Sequence, residues 1–137
     1  MNKQKRNEKG FTMVELIIVV AIMGIIGALL VPAFGTMSAK ARLSTDISTV
    51  KTLKRTADSF KAEQGAFPVS TGDNLSTLVT KLKASNYLEA DAVLQTKGDI
   101  DVSGETIKLS LKPADVTGEY SKALQQIDAS TKADWIK

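Results

Sequence analysis

The chain has 137 residues, enough for one small domain and an appendage. It contains neither cysteine nor histidine, which excludes disulfides, thiol nucleophiles and thiolate metal sites and removes the usual proton shuttle and the commonest metal ligand. The first ten positions hold four of the 18 basic side chains (Lys3, Lys5, Arg6, Lys9) and one of the 15 acidic ones (Glu8), so the remainder is charge-balanced, which argues against a nucleic-acid module.

After this basic stretch, Phe11 to Val31 is an apolar run of 21 residues in which Thr12 and Glu15 are the only polar side chains. As a helix it extends about 30 Å, the thickness of a bilayer core. Leu, Ile and Val occupy every face, which favours a membrane span over a soluble core helix. The preceding Lys and Arg residues predict an N-terminus held in the cytoplasm, with everything after Val31 outside. A cleaved secretory signal has a shorter apolar core and a small-residue cut after it; "AKA" at 39–41 supplies such a cut, but the run is too long and opens with a carboxylate. A plain anchor accounts for length and flank but leaves Glu15 and the Gly10-Phe11 junction unexplained.

The residues "KGFTMVEL" followed by the apolar run resemble the leader junction of type IV prepilins and the related type II secretion pseudopilins. The resemblance is sharp over roughly the first third of the chain and architectural beyond it. It implies that a prepilin peptidase cuts between Gly10 and Phe11 and methylates the new amino terminus of Phe11. It also implies that Glu15 of an incoming subunit meets Phe11 of a neighbour during assembly. Such a pair acts as a register device, because desolvation makes it a weak source of net stability and a stronger source of specificity. The alternative is a tolerated interfacial Glu15 without a partner. In filaments of related pilins the stretch matching Gly24 to Pro32 is extended, which makes Gly24, Gly27 and Pro32 candidate flexibility residues. A packing glycine pair with a simple proline kink fits the same residues.

From Thr36 to about Gln64 the pattern stays helical, with Leu43, Ile47, Val50, Leu53, Ala57 and Phe60 as one apolar stripe. A helix from Phe11 to about Glu63 is roughly 80 Å long. Gly65 and Pro68 end it. Asp73 or Asn74 then caps a short helix bearing Leu75, Leu78, Val79 and Leu82. "NYLEADAVL" is expected to dock on the core. "DIDVSGETIKLSLK" predicts a hairpin with Ser103-Gly104 at its turn and Pro113 closing the second strand. Residues 119–127 predict a last short helix, and Trp135 packs on the domain or on a neighbour. The residues after Gln64 are too few for a robust core and must use the stripe of the long helix as a wall.

The expectation is therefore a pilin-like α+β fold: a basic leader at 1–10, a hydrophobic transmembrane and polymerisation helix at 11–34, its amphipathic continuation at 35–64, and a small head at 65–137. No catalytic constellation, cofactor motif or committed metal site is present. Asp99 and Asp101 are more readily solvated acids than Ca2+ ligands. Lys51, Lys54, Arg55 and Lys61 are interspersed with acids and lack an aromatic platform for DNA. The function implied is a structural subunit polymerising into a pilus filament, anchored in the cytoplasmic membrane before assembly and at the cell surface afterwards. Its partners would be identical subunits, the prepilin peptidase, a membrane platform protein and a separate assembly ATPase. The alternatives are a secretion or competence pseudopilin, and a membrane-anchored adhesin or binding module that does not polymerise.

Overall fold

The computed structural model describes residues 10–112, 116 and 118–137. The basic leader residues before Gly10, and Pro113 as a strand terminator, lie outside them. Six elements follow in chain order: α1 (Met13–Gln64), α2 (Leu75–Ala84), β1 (Asp99–Ser103), β2 (Thr106–Ser110), α3 (Glu119–Gln125) and α4 (Ala129–Trp135). This is the α+β composition expected, with one long helix, short helices and a two-stranded antiparallel sheet. The chain divides into two compact units, Met1–Phe34 and Gly35–Lys137.

In the first unit, every large apolar side chain from Phe11 to Phe34 is exposed; the least exposed, Val19, still shows 45% of its surface. Burying one such side chain is worth about 1.5–3 kcal/mol, so a continuous face of them marks a membrane or protein contact surface. The helix is long and apolar enough to cross a membrane.

In the second unit, the stripe of α1 forms one wall of the core. Ala39, Leu43, Ile47, Val50, Leu53 and Ala57 are buried, and Phe60 is partly so. Facing them are Val69, Leu78, Val79, Leu82, Leu94, Ile100, Val102, Ile107, Leu109 and Ala123. The hairpin strands alternate as a half-buried sheet must: Ile100, Val102, Ile107 and Leu109 turn inward, with Ile100 opposite Leu109 and Val102 opposite Ile107.

Local chemistry sets the element ends. Gly65 follows α1 at φ 77°, a left-handed conformation in which its N–H reaches Lys61 O at 2.8 Å. Asn74, not Asp73, caps α2: its Oδ1 accepts from Thr77 N–H at 2.9 Å, whereas Asp73 accepts from Ser70 N–H in the preceding turn. The hairpin turn lies one residue later than expected, at Gly104-Glu105, because β1 includes Ser103 and the first turn position requires the φ of 61° that Gly104 adopts. The segment "NYLEADAVL" docks as expected through buried Leu94 and partly buried Tyr87, Leu88 and Ala92, while Val93 is 67% exposed.

Helix α3 is not the last one. It ends at Gln125, and α4 follows after Asp128, whose Oδ2 accepts from Thr131 N–H at 2.8 Å and Ser130 Oγ–H at 2.6 Å. These bonds, that from Ser130 foremost, bring the Asp128 pKa down from 3.8 to about 2. A depressed carboxylate pKa stabilises the fold above the unfolded value and loses that contribution as pH falls through the folded one. The cap of α4 is therefore expected to hold above pH ~4 and to be released between pH ~4 and ~2. Amide exchange at Thr131 measured across that window checks this.

Candidate assembly and processing site

The expected junction lies at the start of α1. Gly10 precedes the helix and is exposed, and Phe11 is 82% exposed. Thr12 is the N-cap of α1, and Glu15 sits three residues on. The Thr12 N–H donates to Glu15 Oε2 at 3.1 Å, the Thr12 hydroxyl donates to the same oxygen at 3.2 Å, and the Glu15 N–H donates to Thr12 Oγ1 at 3.2 Å. This is a reciprocal capping box, and it satisfies backbone donors that a helix start leaves orphaned. The sequence reading missed it, although the T-x-x-E spacing of "TMVE" carries the signal.

The geometry has two consequences. The carboxylate is held back toward the N-terminal side of its helix, where the helix dipole also favours negative charge. All its hydrogen bonds use Oε2, and Oε1 takes none among the described residues. Glu15 is therefore partly compensated within its own chain, and its Oε1 takes no hydrogen bond from the described residues.

The remaining candidates are spread along α1. The helix runs through Gly24, Gly27 and Pro32. A Cβ added at Gly24 or Gly27 would meet nothing within 4 Å, so no contact within this chain demands glycine there.

The acids weighed for Ca2+ have other tasks. Asp99 Oδ1 accepts from Leu75 N–H at 2.9 Å and from Ile100 N–H at 2.8 Å, which makes it a second cap for α2. Asp101 pairs with Lys137 at 2.7 Å. Among the described residues no group of three acids is arranged to hold a metal ion. The lysines weighed for DNA also have local partners. Lys54 pairs with Asp58, Lys61 with Glu105 at 2.5 Å, and the Lys51 ammonium lies 5.2 Å from the centre of the Trp135 ring.

Asp46 was not anticipated. It is fully buried on α1, where its carboxylate accepts from Gln95 N–H at 2.7 Å, from Thr96 N–H at 2.8 Å and from the Thr96 hydroxyl. The signal in the sequence is an acid set three residues after Leu43, next to Ile47 and four before Val50 of the apolar stripe.

Residues 5–31 match the family model described as the prokaryotic N-terminal methylation motif. The type II secretion system core protein G of Pseudomonas aeruginosa is 35% identical over 78 residues, 57% of this chain and 54% of that protein. The type IV major fimbrial protein FimA of Dichelobacter nodosus is 36% identical over 105 residues, 76% of this chain and 62% of that protein. A fimbrial protein of Neisseria meningitidis is 24% identical over 140 residues, 95% of this chain and 82% of its own length. The chain thus spans little more than half the length of the secretion relatives it matches. No solved structure matches. The methylation motif is thus placed on an uncovered apolar helix, and the chain is similar to type IV fimbrial proteins and to type II secretion core proteins alike.

Proposed function

We propose that this chain is a structural subunit that polymerises into a type IV pilus filament after its leader is removed. The observation that carries the reading is the apolar face of α1 from Phe11 to Phe34, uncovered on all sides and attached directly to the processing junction. Residues 1–10 are the leader, 11–34 the membrane and polymerisation segment, 35–64 its amphipathic continuation and 65–137 the head. The N-terminus faces the cytoplasm before assembly. The role is structural rather than enzymatic, which the fimbrial and secretion relatives support.

Peptidase cleavage after Gly10 creates an α-ammonium on Phe11 in a medium that cannot solvate it well. The free Oε1 of a neighbour's Glu15, already held toward its helix N-terminus by Thr12, is the acceptor for that charge. Lipid and helix bundle are similarly apolar, so moving α1 between them gains little, and the ion pair fixes the axial offset. Gly24, Gly27 and Pro32 are the residues through which the helix loosens in the filament. The work of extraction is assigned to a separate ATPase acting through a membrane platform protein.

The relatedness to secretion core protein G favours a second reading, a pseudopilin that builds a short fibre without leaving the envelope. Intact mass separates the two. The filament reading expects abundant protein in a sheared cell-surface fraction, with a mass beginning at Phe11 plus one methyl group. The same mass confined to membranes selects the pseudopilin, and an uncut chain confined to membranes refutes both.

A further inference from the structure

A two-stranded sheet has two edges, and each strand edge is a template for another strand. Backbone groups of an antiparallel pair point alternately toward the partner and away from it. Here the Leu109 carbonyl accepts from Lys137 N–H at 2.9 Å, so the backbone groups of Leu109, and by alternation those of Ile107, point away from β1 while their side chains stay in the core. The backbone groups of their cross-strand partners Ile100 and Val102 likewise point away from β2.

Both edges are occupied. On β1, Val102 O accepts from Gly72 N–H at 3.1 Å, and Ile100 N–H donates to the Asp99 carboxylate. The loop that supplies Gly72 is tied back to the hairpin by Gly104 N–H donating to Thr71 Oγ1 at 2.9 Å. On β2 the cover is the segment following α4. Ile136 bridges to Leu109 in parallel fashion, and Lys137 N–H bonds to Leu109 O. The Lys137 ammonium reaches Asp101 at 2.7 Å, and Lys108 donates to Ala133 O at 2.5 Å. The Trp135 ring takes the Lys51 ammonium on its face. The β1 cover lies within a loop anchored on both sides by elements of the head. The β2 cover is held by one backbone hydrogen bond, by lysine contacts and by Trp135 and Ile136 packed partly buried against the core, and it follows the last helix instead of lying between two anchored elements.

We propose that Trp135–Lys137 is an edge guard: it occupies the outward carbonyl of Leu109 at the end of β2, and its release opens that edge to strand pairing with β2 of a second copy of this chain. The occupant follows from what an open edge recognises, since strand pairing is largely indifferent to side chains and two identical edges are complementary by a two-fold axis. Lys108 adds to the protection, because an edge lysine opposes pairing and here is also anchored to the segment that covers the edge. The guard keeps head contacts from forming by strand addition, whichever fibre the chain builds.

The test uses the full chain in detergent micelles. It contains no cysteine, so Thr106→Cys provides a single nitroxide site at the start of β2. With the guard intact, no dipolar broadening between copies is expected. Deleting residues 135–137 is expected to produce broadening together with a shift to dimer or larger species in sedimentation. If that deletion unfolds the head by circular dichroism, Lys137→Pro against Lys137→Ala decides. Proline removes the N–H given to Leu109 O, alanine keeps it, and both lose the ion pair. Broadening in the proline variant alone supports the guard. The proposal is overturned by equal broadening in parent and variants, by none in a folded deletion variant, or by identical behaviour of the proline and alanine variants.

Discussion

Glu15→Ala is expected to abolish assembly while leaving membrane insertion and cleavage after Gly10 intact. The substitution removes two things at once. One is the reciprocal cap with Thr12, whose loss costs the helix start about 1 kcal/mol. The other is the acceptor for a neighbour's Phe11 ammonium, which is left unpaired among apolar helices. Breaking a buried pair in this way costs about 3–5 kcal/mol, or roughly two to four powers of ten in incorporation at each step. Glu15→Gln separates the two contributions, because its amide oxygen still accepts from Thr12 N–H but carries no charge. Assembly lost in both variants assigns the effect to charge pairing. Assembly retained in Gln and lost in Ala assigns it to the cap, and normal filaments from both would falsify the register mechanism. The readouts are the amount of subunit in sheared surface fractions, membrane fractionation and the intact mass of the retained protein.

Asp46→Ala is expected to be the most damaging polar substitution in the second unit. The carboxylate is the acceptor for two backbone N–H groups and one hydroxyl, and Thr96 is itself buried. Removing the acceptor strands those donors and leaves a small void against α1, at a cost of about 3 kcal/mol. For a unit of this size each kcal/mol moves the midpoint by about 4–8 °C, so thermal unfolding should fall by roughly 15 °C. Asp46→Asn should recover only part of this loss, since it keeps one acceptor oxygen but turns an amide nitrogen toward a donor. A midpoint unchanged within a few degrees in the Ala variant would show that Asp46 is not what ties the α2–β1 connection to the long helix.

Much of this molecule was legible in the sequence where one period or one residue type dominates. The apolar run, the stripe from Leu43 to Phe60, Gly65 as the helix stop and the alternation around Ile107 each rest on a strong local signal that the packing reinforces. The misses share a cause: a polar side chain whose partner is set by tertiary or capping geometry. Asp46 reaches across 50 residues to Thr96, a distance that no local pattern reveals. The last helix was missed because "ASTKADW" is polar, short and weakly amphipathic, and its start depends on the Asp128 cap rather than on propensity. At the candidate site, Gly10, Phe11 and Glu15 were readable from their spacing. What Thr12 does to Glu15 was not, because the bond depends on where the helix starts, and the apolar run by itself does not fix that point.

The division of the core between α1 and the segments after it also decides where the chain can be cut for study in water. A fragment starting at Gly65 would omit Leu43, Ile47, Val50, Leu53 and Ala57, and with them one side of every facing contact. Its hairpin and α2 would present their inner faces to solvent and gather into aggregates. A fragment starting at Gly35 keeps that wall and sheds the exposed side chains from Phe11 to Phe34. The soluble piece of this protein therefore begins in the middle of its longest helix, nearly thirty residues upstream of where that helix ends.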